Sequence, residues 1–153
     1  MISQKTRYAL KALVLLAAHE KLNAEPVLIS ELARRGKMPQ KFLEAILLEL
    51  KNGGLLQSKK GKGGGYFLAK KPEAIKLGSV IRMLEGPLAL IPCVSQNLPH
   101  KCDECDDEAT FGLRILFKEV RDATAGILDN TSLAKVRYVQ DIAKNNKKAM
   151  YFI

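Results

Sequence analysis

The 153-residue sequence lacks several features that would define its class at once. No apolar run approaches the roughly 20 residues that a membrane-spanning helix needs. The N-terminus shows no signal-peptide core followed by a small-residue cleavage site. Histidine occurs only twice, at His19 and His100, and no paired acid–base constellation accompanies it. We therefore expect a cytoplasmic protein with no membrane partner and no enzymatic activity.

Cysteine is scarce, and its placement is uneven. The only three, Cys93, Cys102 and Cys105, lie within 13 residues. An odd number in such a chain argues against a disulfide framework, and the clustering argues against three unrelated core residues. Three thiolates on one loop can hold an iron–sulfur cluster if a fourth ligand exists, or a zinc ion. The carboxylates around Cys102 and Cys105 disfavour a free thiolate, which argues against a reactive thiol sensor or a catalytic nucleophile.

Acidic residues are few in the first half of the chain. Residues 1–71 contain 14 Lys and Arg but only 5 Asp and Glu, a net charge of +9. Residues 72–153 contain 11 of each kind and are neutral. This asymmetry indicates a polyanion-binding module joined to a second part of different function.

The pattern of the first half predicts a winged helix-turn-helix. A helix over 2–21 precedes a short one at Glu31–Arg35, with Ser30 as its N-cap. A third helix is predicted over Pro39–Asn52, and strands at Leu55–Lys59 and Tyr66–Ala69 then flank a glycine-rich turn. The third helix has a predicted buried face made of Phe42, Leu43, Ile46, Leu47 and Leu50. The glycines run into a strand, so they are not a nucleotide phosphate loop, which opens a helix.

The second half predicts a mainly α-helical continuation. A linker at Pro72–Ala74 leads to a helix at Leu77–Leu84, and a long helix follows at 109–128. The long helix has a coiled-coil-like seam, which indicates packing against a second copy. The seam consists of Leu113, Phe117, Val120, Thr124 and Ile127, widened by Leu116 and Ala123.

These patterns divide the chain into four segments. The fold class is mainly α with a small β-hairpin wing, that is, a winged helix-turn-helix plus a long C-terminal dimerisation helix. Residues 1–87 form the DNA-binding domain and 88–108 the cysteine-bearing sensor loop. Residues 109–136 hold the dimerisation helix and a short terminal helix, and the tail 137–153 has no assignment.

Three segments carry a family resemblance. They read S-E-L-A-R-R-G-K-M-P-Q-K-F-L-E at 30–44, K-K-G-K-G-G-G-Y-F-L-A at 59–69 and L-G-S-V-I-R-M-L-E-G-P at 77–87, with G-L-R-I-L-F-K-E-V-R-D-A following the cysteines at 112–123. Over about residues 2–136 the chain resembles the Rrf2 family of winged helix-turn-helix transcriptional regulators, which includes iron–sulfur, nitric-oxide and cysteine-metabolism regulators. The resemblance implies a homodimer on a palindromic operator in double-stranded DNA.

The resemblance also implies how the DNA is held. The third helix enters the major groove with its N-terminal turn leading, and its side chains there meet base edges or flanking phosphates. The wing reaches the minor groove or phosphates, and Arg34 and Arg35 touch phosphates. The implied DNA-binding residues are Pro39, Gln40, Lys41, Glu44, Lys59, Lys60, Lys62, Gly63 and Gly64.

Cluster-bearing members of the family imply a metal site at Cys93, Cys102 and Cys105. The cofactor would be a [2Fe–2S] or [4Fe–4S] cluster that reads iron–sulfur supply, iron, redox state or nitric oxide. Family members with this cysteine pair often carry another cysteine a few residues later, where this chain has Phe111. The fourth ligand stays open among a group of the partner subunit, His100, Asp106, Asp107 and Glu108. The alternative is the same DNA-binding regulator without a cluster, controlled by a partner protein or by thiol oxidation.

Overall fold

The structure, a computed structural model, describes residues 2–20, 25–96 and 111–150. Those ranges contain six α-helices and one two-stranded antiparallel sheet, which confirms the predicted fold class. The backbone forms two compact units. One consists of Met1–Ile75 with Ser132–Ile153, and the other of Lys76–Thr131. Within the described ranges no helix is long and apolar enough to cross a membrane.

Three helices build the core of the first unit. They are α1 (Gln4–Glu20), α2 (Ile29–Gly36) and α3 (Gln40–Asn52), and each packs against the other two. Apolar residues at helical spacing bury one stripe of each helix. The buried set includes Ala9, Ala12, Leu13, Leu16, Leu32, Leu43, Ile46, Leu47 and Leu50.

Helix α2 begins earlier than the sequence predicts. Its N-cap is Leu28, so the prediction of Ser30 is wrong, and no side chain caps the helix. The Leu28 carbonyl already accepts a hydrogen bond from the Leu32 amide at 3.0 Å. Gly36 is the last helical residue, and Lys37 takes the left-handed conformation that closes the helix, with φ 49°. The tight turn into α3 is therefore present, although glycine is not the left-handed residue.

A hairpin follows α3. Strands β1 (Leu56–Lys59) and β2 (Gly65–Leu68) pair antiparallel, with Leu56 opposite Leu68 and Lys59 opposite Gly65. An isolated bridge also joins β2 to Val27, because the Val27 and Tyr66 amides and carbonyls exchange hydrogen bonds of 2.9 and 2.8 Å. A Cβ on Gly65 would lie 2.4 Å from the Val27 carbonyl oxygen, so this close approach requires glycine.

The last helix of the chain, α6 (Leu133–Met150), completes the first unit. Leu133 is fully buried, and its amide donates to the Ile75 carbonyl at 2.9 Å, next to the 3₁₀ turn Pro72–Ala74. The Arg137 guanidinium donates to the Ala17 carbonyl near the end of α1, at 3.1 Å. The predicted short helix at 131–136 is therefore wrong in length. No glycine or proline occurs between 131 and 150, so nothing in the sequence breaks the helix.

The second unit pairs α4 (Leu77–Glu85) with α5 (Gly112–Asp129). The Arg82 guanidinium donates to both Asp129 carboxylate oxygens, at 2.6 and 2.9 Å. This bidentate bond lowers the pKa of Asp129 and raises that of Arg82. A Cβ on Gly78 would lie 1.9 Å from Asp129 Oδ1, so a glycine on α4 lets the carboxylate approach.

Candidate functional site

The N-terminal turn of α3 presents polar side chains to solvent. Pro39 is the N-cap in extended conformation, and Gln40, Lys41 and Glu44 are all exposed. Gln40 and Glu44, at positions i and i+4, are neighbours on one face of the helix, and Gln40 Nε2 donates to Glu44 Oε1 at 3.4 Å. The structure therefore presents the residues that were predicted to read bases as one polar surface on the first turns of α3.

An aromatic residue borders this surface. Phe42 was predicted to be buried, but 43 % of it is exposed, and its ring meets that of Tyr8 edge to face at a centroid distance of 5.9 Å. Phe42 lies at the rim of the apolar stripe, where α1 covers only one side of the ring. The prediction holds for Leu43, Ile46, Leu47 and Leu50, which are all buried.

The tip of the hairpin carries the predicted wing cations. Lys59, Lys60 and Lys62 are exposed, and the chain reverses through Gly61 and Gly63 with φ of 88° and 73°. These positive values favour glycine over any residue with a side chain. The wing therefore holds three cations at the end of a tight turn.

Gly64 plays a different part from its neighbours. It is buried, and a Cβ there would lie 2.4 Å from the Lys59 carbonyl oxygen and 2.8 Å from that of Gly61. Its amide also donates to the Gly61 carbonyl at 2.9 Å. The hairpin itself thus requires this glycine, whereas a contact of Gly63 or Gly64 with DNA stays a prediction.

Two polar links fix α3 in the first unit. Lys51 Nζ donates to Ser58 Oγ at 2.7 Å and joins the end of α3 to β1. Lys5 and Glu49 pair at 3.1 Å and join α1 to α3. Because Lys51 is exposed, and Lys5 and Glu49 keep 37 % and 40 % of their side chains exposed, these links add little to stability.

Arg34 and Arg35 share one acidic partner on their own helix. Glu31 accepts from Arg34 Nη2 at 2.8 Å and from Arg35 Nε at 2.5 Å. The hydrogen bonds from the two guanidinium groups lower the pKa of Glu31 from 4.5 to about 2. The ionised carboxylate offsets one of the two positive charges that are predicted to contact phosphates. The i+3 and i+4 spacing could have shown this pairing from the sequence.

We expect Glu31→Gln to strengthen operator binding about threefold and to steepen its salt dependence by up to about one counterion, because both arginines become free for phosphates. The measurement is fluorescence anisotropy on operator DNA over a salt series. Glu73→Gln, an exposed position on the 3₁₀ turn, changes the net charge equally and should alter neither quantity. Equal affinity and equal salt dependence in the two variants would show that Arg34 and Arg35 do not contact the DNA.

The cysteine segment begins in the second unit. Cys93 is free and partly exposed in the 3₁₀ turn Pro92–Val94. The other predicted ligands lie outside the described residues, namely Cys102, Cys105, His100, Asp106, Asp107 and Glu108. Within the described ranges no group of three or more His, Cys, Asp or Glu side chains could hold a metal ion. The structure thus places one of the three proposed thiolate ligands.

Sequence reasoning missed a residue beside Cys93. The Arg121 guanidinium, on α5, donates to the Val94 carbonyl. The two residues are 27 positions apart, so no local pattern indicates the contact. Arg121 therefore connects the turn that bears Cys93 to α5.

Helix α5 leaves an apolar stripe uncovered. None of its residues, all of which are described, is buried. Phe117 and Thr124, from the predicted seam, are partly covered. The exposed stripe has spacings of three and four residues and consists of Leu113, Leu116, Val120, Ala123 and Ile127. This spacing is that of a two-helix seam, shifted toward the positions that the sequence analysis treated as its margin.

Comparisons with known proteins agree with this architecture. Residues 2–138 match a family model described as Rrf2, iron-dependent transcriptional regulator. An Rrf2-like helix-turn-helix transcriptional regulator of Rhodobacter capsulatus is 40 % identical over 134 residues, 87 % of this chain and 89 % of that protein.

Two solved structures have similar folds. CymR, the global cysteine regulator of B. subtilis, has a TM-score of 0.74 at 32 % identity, covering 91 % of this chain and 97 % of that one. IscR of T. potens has a TM-score of 0.70 at 28 % identity, covering 93 % and 88 %. CymR of B. subtilis and IscR of E. coli are HTH-type transcriptional regulators. The prediction that the chain is not an enzyme is thereby confirmed.

Proposed function

The chain belongs to the Rrf2 family of transcriptional regulators, and we propose that it acts as a homodimer that reads a palindromic operator and senses a signal through its cysteine segment. The observation that carries the DNA-reading half is the exposed polar turn of α3 together with the exposed cationic wing. Both lie in the first unit, within the segment that holds the whole net charge of +9.

The reading contacts follow from the side-chain chemistry. The amide of Gln40 can pair bidentately with adenine, and the Glu44 carboxylate can accept from the amino group of cytosine. The hydrogen bond between them holds both near the start of α3. Lys41 and the wing lysines supply phosphate or minor-groove contacts, which give affinity and salt dependence. Pro39 sets the start of the helix that carries the reading groups.

The proposed dimer rests on the exposed stripe of α5. Leu113 is 55 % exposed and Ile127 is 68 % exposed, so the stripe adds no buried apolar surface to a monomer. Packing against the same stripe of a second chain would cover these side chains and set the spacing of two reading heads. In this proposal residues 1–87 read DNA, 88–108 sense the signal and α5 holds the dimer.

The sensing half rests on the chemistry of the donors. Cys93 is a free, partly exposed thiol, and Cys thiolates are the usual ligands of iron–sulfur clusters, so the described part of the site fits a cluster. We propose Cys93, Cys102 and Cys105 as three ligands of a [2Fe–2S] or [4Fe–4S] cluster, with the fourth ligand open. Such a cluster would react with oxidants or nitric oxide, and it would be lost when iron is scarce.

Anaerobic purification tests this proposal. We expect a coloured protein with bound iron and acid-labile sulfide, whose visible absorbance falls when Cys93, Cys102 or Cys105 is replaced by Ala. Operator binding measured on the same samples tests the DNA-binding role independently of the cluster. A colourless protein without iron after reconstitution would instead favour the alternative.

The alternative keeps the same DNA-binding regulator and changes only the switch. Similarity to CymR, of which the S. aureus protein also has a solved oxidised form, favours thiol oxidation as the switch, and control by a partner protein is the other form of this alternative. In that case operator affinity should respond to a partner or to a mild oxidant without any metal, and replacement of Cys93 by Ser should abolish the response to the oxidant.

A further inference from the structure

Arg121 occupies a sheltered position on α5, on the side away from the exposed stripe. Only 12 % of its side chain is exposed, although an arginine in a surface helix normally extends into water. Its guanidinium is held on two sides. One nitrogen donates to the Val94 carbonyl, and two donate to Asp122 Oδ1 at 2.8 and 2.5 Å.

The accepting carbonyl belongs to the residue directly after Cys93. Val94 is 3 % exposed, and the turn around it is closed by backbone hydrogen bonds from Val94 to Ile91 at 3.3 Å and from Ser95 to Pro92 at 3.0 Å. A turn of this size has few bonds of its own. The charge-assisted bond from Arg121 therefore adds to the burial of Val94 in fixing the turn.

Asp122 keeps the guanidinium in place. Its carboxylate also accepts from Lys118 Nζ at 3.2 Å, and its pKa is lowered by its hydrogen bonds to Arg121 and Lys118. Lys118 shares the carboxylate with Arg121, but among the described residues it donates to Asp122 and not to the Cys93 turn. It therefore provides a matched position for comparison with Arg121.

Arg121 directly follows Val120 of the exposed stripe. Successive residues point about 100° apart on a helix, so the Arg121 guanidinium can bind the turn at Cys93 while Val120 faces outward. We propose that Arg121 is a positioning residue that fixes the Cys93 turn on α5 and transmits a change at Cys93 to the helix. This inference rests on the sensing role of Cys93 in the proposed function.

Hydrogen–deuterium exchange on the full chain tests this role without metal. With Cys102 and Cys105 replaced by Ser, Cys93 is the only cysteine, and N-ethylmaleimide labels it alone. We expect Arg121→Met to speed exchange of the Val94 and Ser95 amides about tenfold, as loss of one charged hydrogen bond implies. Lys118→Met should leave both amides unchanged. Equal exchange in the two variants would overturn the role of Arg121.

The second comparison concerns transmission. Labelling of Cys93 should change exchange across α5 about threefold or more when Arg121 is present, and should leave α5 unchanged in Arg121→Met. A response of α5 that persists in Arg121→Met would refute transmission through this residue. If Arg121→Met loses the far-UV circular dichroism of the parent, Asp122→Asn replaces it, with a smaller acceleration of the same amides expected and no acceleration counting against the proposal.

Operator binding by the parent chain, here the unlabelled chain with all three native cysteines, separates this inference from the proposed function. A parent that binds no DNA contradicts the proposed function, whatever the exchange data show. A parent that binds DNA, with amides insensitive to Arg121, contradicts only the role of Arg121.

Discussion

Val120→Glu is expected to convert the proposed dimer to monomers at micromolar concentration. Val120 lies at the middle of the exposed stripe, and each chain of a symmetric dimer would bring one unpaired carboxylate into the seam. Burial of a charge without a partner costs several kcal/mol, so the dimer dissociation constant should rise by about two orders of magnitude or more. Sedimentation equilibrium measures the change directly.

Ile115→Glu is the matched control for this experiment. Ile115 is an exposed apolar residue of the same helix, but it lies off the stripe of three- and four-residue spacings. The same charge there should leave the dimer intact. Monomers in both variants would indicate that the helix has unfolded, and dimers in both would refute the seam.

The double variant Lys60→Ala and Lys62→Ala is expected to weaken operator binding by roughly tenfold to a hundredfold at moderate salt. Each phosphate contact releases about 0.9 counterions, so the slope of log K against log salt should become shallower by about two. Since both lysines are exposed, the fold should be unaffected. Fluorescence anisotropy over a salt series gives both quantities.

Lys135→Ala with Lys144→Ala provides the comparison for the wing. Both residues are exposed on α6, and their loss changes the net charge by the same amount. A general electrostatic attraction would weaken in the two double variants alike. A contact by the wing predicts a large loss only at Lys60 and Lys62, and an unchanged salt slope there would remove the wing from the mechanism.

Periodicity in the sequence predicted most of the helices because each buries one stripe. The stripe of α3 predicted Leu43, Ile46, Leu47 and Leu50 correctly and failed at Phe42, its rim. A helical pattern gives the direction of the buried face but not its width, which depends on what covers it. Here Tyr8 of α1 covers only one side of the ring.

The seam of α5 also shows that a sequence pattern does not fix which apolar residues are covered. Apolar residues cover more than half of the helix, so two registers of three and four residues fit the sequence equally well. The structure distinguishes them because Phe117 and Thr124 are partly covered, whereas Leu116 and Ala123 are exposed. Only the position of the neighbouring segments separates the two registers.

Helix ends and long-range contacts were beyond sequence reasoning. Ser30 is a good capping residue by type, yet α2 begins at Ile29 without a side-chain cap. The last eleven residues of α6 have no broad apolar stripe, so the sequence pattern did not predict a helix there. The segment also contains no residue type that would interrupt a helix. Arg121 and Val94 meet across 27 residues, which no local pattern encodes.

The chain order of the two units has a consequence for synthesis. The first unit needs Leu133 and the rest of α6, which a ribosome adds more than 50 residues after Ile75. At roughly 5–20 residues per second this interval lasts several seconds. The second unit is continuous, and its residues are added within the same interval. Residues 4–75 therefore exist for several seconds without α6, and the first unit is complete only after α6 has left the ribosome.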